Sequence, residues 1–283
     1  MSSDASALEK GDLPVFKTST PPIKKAMKDL ADGIRLSPMW FPIAVRNILS
    51  QQRRLFLGVA WLPLGMLVFS FIMGYVYSWL RDYEYLPFAF YIFAGYMCWQ
   101  YISACISGSA TLFSRNSSTI TNAQLPYSYY IYEHVLDRAI TIGFSIPFFL
   151  VTKLIMTPGE WSGFWMVLPA MVIYLLAGVS TTLFFSVLFV RFRDLETPLL
   201  TILRIMFLFT PIIWQIEQKE GTRRAAFVEY NPFFHFVEIM RAPMIGDTAA
   251  INSWIISSVI TLILLVLGLY AFVRARSRVA YWL

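Results

Sequence analysis

Each of the two histidines in this 283-residue chain has a carboxylate three positions further on: His134 with Asp137, and His235 with Glu238. In a helix that spacing puts both members of a pair on one face, as half of a metal site would require. A hydrogen-bonded interfacial histidine explains the same spacing equally well, so no metal site is assigned. The two cysteines, Cys98 and Cys105, lie seven apart in one apolar run and share a helix face two turns apart. They cannot bridge each other there and read as small buried hydrophobes. HExxH, CxxC, GxSxG and a Gly-rich phosphate loop are all missing, and no lysine follows a glycine anywhere, which excludes a GxxxxGK[ST] nucleotide loop. No cofactor is expected in this chain, and any ATP-driven work must draw on an ATPase in another chain.

The elements that would position these residues follow from composition. Hydrophobic residues make up 57% of the chain, aromatic residues 17% and charged residues only 14%, against about 25% charged in soluble domains. So much apolar surface cannot be buried by a soluble fold of this size, which excludes a disordered chain, a secreted disulfide scaffold and an ordinary cytosolic enzyme. The expected class is an all-α polytopic membrane protein, because a backbone in lipid must satisfy its own hydrogen bonds.

A bilayer core of about 30 Å needs about 20 apolar residues in a helix. Six candidate spans meet or approach that length: Leu62–Trp79, Leu86–Leu112, Ile131–Met156, Phe164–Val190, Leu199–Trp214 and Trp254–Val273. The third contains Glu133, His134, Asp137, Arg138 and Lys153, and the fifth is short and holds Arg204, so both must face protein or water along part of their length. No cleavable signal peptide is visible, and six spans put both termini on one side. That side carries 17 Lys and Arg against six on the other, so the positive-inside rule places both termini in the cytoplasm.

Three further segments are expected. Residues 1–20 read as a disordered cytoplasmic tail. Residues 21–60 form a cytoplasmic interface segment, where Ile23, Ala26, Met27, Leu30 and Ile34 recur at helical spacing and Lys24, Lys25, Lys28, Asp29 and Asp32 take the other face, as in a helix lying flat on the membrane. Within the transmembrane domain, 61–283, the outer connection 215–253 is too apolar for a solvated strap. It reads as two short helices dipping into the outer leaflet, a re-entrant hairpin broken near Asn231 and Pro232.

Several segments, in order, resemble the permease subunits of bacterial ABC exporters that move O-antigen, capsule, teichoic acid and related lipid-linked glycans. Arg53 and Arg54 followed by Leu57, Gly58 and Trp61 are similar to that family's basic residues and LGxxW; Phe93-Ala94-Gly95 with Trp99 is similar to its FxxGxxxW region. Asn116 through Pro126 resembles its cytoplasmic N…P segment, and Arg191-Phe192-Arg193-Asp194 its RYRD signature. Thr210-Pro211-Ile212-Ile213-Trp214 and Asn231-Pro232-Phe233 with Arg241 resemble its SP and NP…R elements.

The resemblance implies a homodimer in the bacterial cytoplasmic membrane, paired with two ATPase subunits that hold ATP and Mg, and a glycan threaded outward; no nucleic-acid partner is expected. Ser114, Arg115, Asn116, Ser117, Ser118 and Thr119 then suit a coupling helix docked on the ATPase. Sugars present C–H faces to aromatic rings, so Tyr91, Trp99 and Tyr101 in the second span and Phe207, Phe209 and Trp214 in the fifth are pathway candidates. Arg53, Arg54 and Arg204 are candidates for a lipid pyrophosphate. The competing readings are an ABC exporter of drugs or other lipids and a membrane-embedded glycolipid-processing enzyme. The enzyme would need more acidic or histidine residues at one depth than this sequence provides.

Overall fold

The structure, a computed structural model, describes residues 21–52, 56–123, 125–156, 161–215 and 228–283. The expected tail at 1–20, Arg53, Arg54 and residues 216–227 of the outer connection lie outside the described residues. Every regular element among the described residues is helical: α1 (Pro22–Arg35), α2 (Ser37–Gln52), α3 (Trp61–Arg81), α4 (Tyr85–Ala110), α5 (Leu112–Arg115), α6 (Ser117–Asn122), α7 (Tyr127–Gly143), α8 (Ile146–Met156), α9 (Val167–Arg191), α10 (Glu196–Phe209), α11 (Pro232–Ile245), α12 (Ile251–Ala275) and α13 (Val279–Trp282).

Five helical segments are long and apolar enough to cross a membrane: Gly58–Arg81, Tyr85–Ala110, Tyr127–Ile155, Phe164–Arg191 and Ile251–Ala275. They correspond to the expected first, second, third, fourth and sixth spans. The fifth is shorter than expected. α10 runs for 14 residues and stops at Thr210, ahead of Pro211, so its axial length is only about 21 Å at 1.5 Å per residue.

α4 is the centre of the fold. It touches α3, α7, α8, α9, α10 and α11, and 72% of its apolar stretch is buried against 22% for α3 and α12. A helix apolar on every side needs such surroundings, whereas α3 and α12 keep one apolar face outward, as lipid or a second subunit allows. α9 and α12 pack along each other beside it.

The charges of the third span find local partners. Glu133 accepts from Nδ2 of Asn47 at 3.0 Å, Asp137 pairs with Arg138, and Lys153 is buried against the rings of Phe90 and Trp161. The span is therefore a helix pair, α7 and α8, with a break at Phe144–Ser145.

The amphipathic reading of α1 is corrected in one respect. Ala26, Asp29 and Gly33 are its buried residues, and Ile23, Met27 and Ile34 are each more than half exposed. Asp29, expected on the solvated face, is turned inward because it serves another helix: its carboxylate accepts the backbone N–H of Ser128 at 3.0 Å and of Tyr127 at 3.4 Å, capping the start of α7. Nε of Arg276, just past α12, donates to the same carboxylate at 2.8 Å. The pair is held close by Gly33, where a Cβ would collide with the Ser128 hydroxyl.

Candidate functional site

Tyr91, Gly95 and Trp99 lie four residues apart in α4 and make one stripe facing α10 and α11. Tyr91 donates its hydroxyl to the carbonyl of Pro211 at 3.1 Å. Arg241 of α11 donates to the same carbonyl at 2.6 Å, pairs with Glu238 at 2.5 Å, and lies 4.1 Å from the centre of the Tyr91 ring. Gly95 faces the Arg241 side chain, and a Cβ there would meet its Cδ at 3.4 Å, an ordinary van der Waals contact. The other end of α11 holds the same place in the chain: Asn231 caps the helix by accepting from the N–H of Phe233 at 3.0 Å, and its amide donates to Oγ1 of Thr210 at 3.0 Å.

The two ends of α11 thus grip consecutive residues, Thr210 and Pro211, where α10 stops. Pro211 cannot continue the helical ladder and its carbonyl would be an orphan acceptor in an apolar setting. Two donors satisfy it. Arg241 is 4% exposed and fully engaged, so its work is to position α11 against α10 and α4, and a ligand would have to displace these contacts to reach it.

One turn along α4 the stripe becomes an aromatic panel. Trp99 meets Phe207 of α10 at 5.6 Å and Phe233 of α11 at 5.3 Å between ring centres. Tyr96 extends it to Phe207 at 5.8 Å and to Phe69 of α3 at 4.7 Å. Four of the six pathway candidates, Tyr91, Trp99, Phe207 and Trp214, share one apolar cluster. Trp214 also donates its indole N–H to the carbonyl of Leu208 at 3.0 Å. The structure places the other two elsewhere. Tyr101 stands on the far side of α4, 5.6 Å from the ring of Tyr174, and Phe209 is 44% exposed on the outer face of α10.

Arg204 shares that outer face, exposed and without an ion-pair partner among the described residues. Arg53 and Arg54, its proposed companions, lie outside the described residues.

The connector between the second and third spans folds as two short helices, α5 and α6. Leu112 and Phe113 are buried beneath it, while Ser114, Arg115, Ser118 and Thr119 are exposed and Asn116 and Ser117 half-buried. Asn116 donates to the carbonyl of Leu112 at 2.8 Å, and Thr121 to that of Ser117 at 2.6 Å.

The members of each histidine–carboxylate pair are turned to different neighbours. His235 lies 3.0 Å from Oγ of Ser253 and 2.8 Å from the carbonyl of Glu229, while Glu238 is committed to Arg241. His134 is buried against Gly108, and its carboxylate neighbour Asp137 is committed to Arg138. No group of three or more His, Cys, Asp or Glu converges among the described residues.

Two features were missed from sequence: the Asp29–Arg276 pair and the double hold on Thr210 and Pro211. The second had a signal in the order Thr-Pro, Asn-Pro and Arg, whose polar groups meet in one place.

The described residues thus form a membrane-spanning helical bundle with a buried aromatic stripe, a short helix held at its end by a second one, and a polar connector between two long apolar helices. Residues 40–245 match the family described as ABC-2 type transporter, and the chain belongs to that family. Among characterised relatives, the O-antigen export system permease protein RfbA of Myxococcus xanthus is 24% identical over 190 residues, which cover 66% of this chain and 72% of that protein.

Proposed function

We propose that this chain is the permease half of an ATP-driven exporter that moves a lipid-linked polysaccharide out of the bacterial cytoplasm. The observation that carries the reading is the similarity to an O-antigen export permease across two thirds of the chain. In this account two copies form the translocation unit in the cytoplasmic membrane, and two separate ATPase subunits bind ATP with Mg. α10 acts as a shortened fifth crossing, completed by the turn at Thr210–Trp214, and α11 is the described part of a re-entrant outer hairpin. Both termini lie in the cytoplasm, supported by the 17 basic residues assigned to that side.

The roles follow from chemistry. Tyr91, Phe207 and Trp214, half-buried around the buried ring of Trp99, offer aromatic edges along which a sugar chain passes without a deep polar trap. Arg204, with Arg53 and Arg54, meets the lipid pyrophosphate. Ser114 to Thr119 dock on the ATPase. The test is co-purification with the candidate ATPase subunit, before and after the 113–126 segment is replaced by a Gly-Ser linker. Association that depends on the segment supports the reading; a stable chain that binds no ATPase overturns it.

A further inference from the structure

Beside the ends of α9 and α12 lies a cavity of about 380 Å³ that no transport candidate lines. Its floor is apolar, formed by Phe184, Val187, Leu188 and Ala271. Its mouth carries Arg191, Arg274 and Arg278, all exposed and none with an ion-pair partner among the described residues.

Two of these guanidinium groups are held in place. Arg191 lies 5.2 Å from the ring centre of Phe192 and 5.3 Å from that of Trp282, and Arg274 lies 5.0 Å from that of Tyr270. Their neighbour Arg193 is turned to the carbonyl of Trp282 at 2.7 Å, which ties the turn after α9 to α13. Asp29, near the end of α12, is already committed to Arg276 and the start of α7, and Asp194, in the turn after α9, forms no ion pair with these arginines among the described residues. Two positioned positive charges, Arg191 and Arg274, and a third exposed arginine, Arg278, therefore border one apolar groove at the ends of α9 and α12.

A free anion would satisfy the mouth and leave the floor without a partner. A neutral lipid would do the reverse. A phosphodiester carrying hydrocarbon chains satisfies both, since guanidinium forks match phosphate oxygens and Phe184, Val187, Leu188 and Ala271 offer an acyl chain apolar contact. We propose that this groove binds an anionic glycerophospholipid of the inner leaflet, its phosphate among Arg191, Arg274 and Arg278 and one acyl chain along Phe184 and Leu188. The assignment rests on the proposed orientation, which puts this end of α9 and α12 in the cytoplasmic leaflet. A resident lipid, not the exported one, is assigned because Tyr91, Trp99, Phe207 and Arg204 line none of the cavity.

The test uses the purified full-length chain, titrated in detergent with dioleoylphosphatidylglycerol, dioleoylphosphatidylcholine or inorganic phosphate, with binding read by native mass spectrometry and thermal shift. Phosphatidylglycerol should bind and stabilise. The R191Q/R274Q/R278Q variant should weaken it by roughly tenfold or more, as three lost cations at an anionic surface imply, while phosphatidylcholine binding stays unchanged and shows that the variant is folded. Leu188→Trp, which fills the floor and keeps every arginine, should weaken phosphatidylglycerol as well. Equal affinity for the two lipids, or no effect of the triple variant, would overturn the proposal. Displacement of the lipid by inorganic phosphate would reduce the groove to a simple anion site and overturn it too. Because the readout is lipid binding, a chain that exports no glycan could still pass this test, so the two readings fail separately.

Discussion

Asp29 in α1 and Arg276 just beyond α12 are 247 positions apart, yet the arginine Nε donates to the aspartate carboxylate at 2.8 Å. Because the same carboxylate caps α7, one buried side chain joins α1, the start of α7 and the end of α12. A movement of α1 is therefore felt at both.

This relationship predicts coupling between the two residues. Asp29→Ala removes a helix cap worth about 1 kcal/mol and an ion pair in the same step, so a loss of about 2–4 kcal/mol is expected. Arg276→Ala alone should cost less, since Asp29 keeps two backbone donors. A double-mutant cycle by thermal unfolding should give a coupling of about 1 kcal/mol or more; additive losses would mean that the contact carries no energy.

Gly33 of α1 packs directly against Ser128 and Tyr132 of α7, leaving no space for a Cβ. Gly33→Val should force the helices apart and cost about 1–3 kcal/mol, the usual range for overpacking. Protease sensitivity of α1 is the measurement. The variant should be cut faster within α1 while α4 and α9 stay protected.

Arg241 predicts a sharper loss. Arg241→Ala strips the Pro211 carbonyl of one donor and leaves Glu238 unpaired in a largely apolar setting, at a cost of about 3–5 kcal/mol. Arg241→Lys should rescue only part, because a single ammonium cannot serve Pro211 and Glu238 through two separate nitrogens. Full rescue by lysine, judged by melting temperature in detergent, would show that charge alone matters.

Much of the fold was legible because lipid makes simple demands. The charge-free runs around α4, α9 and α12 could only be spans, and the structure returns them within a few residues. α10 was harder, since apolar residues continue through Ile212, Ile213 and Trp214 although Pro211 has already ended the helix. Asp29 escaped for a different reason. Helix-face arithmetic assigns an aspartate to water, and nothing local reveals that another helix's first turn and a distant arginine need its carboxylate. Its flanks did hold a hint, because Ala26 and Gly33 are the small residues a close helix contact requires. Tyr101 could have been separated from Trp99 in advance, as two residues along a helix is about 200° around it. Which aromatic rings meet across α4, α10 and α11 depends on packing that no single helix encodes.

Ser118 and Thr119 are exposed, and neither side chain makes a hydrogen bond or ion pair among the described residues. Ser118→Arg with Thr119→Arg should change stability by no more than about 0.5 kcal/mol while reducing ATPase co-purification severalfold. Unchanged recovery of the ATPase would move the docking surface elsewhere.

The central claim, outward transport of a lipid-linked polysaccharide, is tested most directly in cells that lack this chain. Surface polysaccharide and the cytoplasmic pool of its lipid-linked precursor would be measured together, with wild-type protein or the Trp99→Ala/Phe207→Ala variant supplied in trans. The account predicts loss of surface glycan with a build-up of precursor inside, restoration by wild type, and weak restoration by the variant. Normal surface glycan with no internal accumulation in the deleted cells would contradict it.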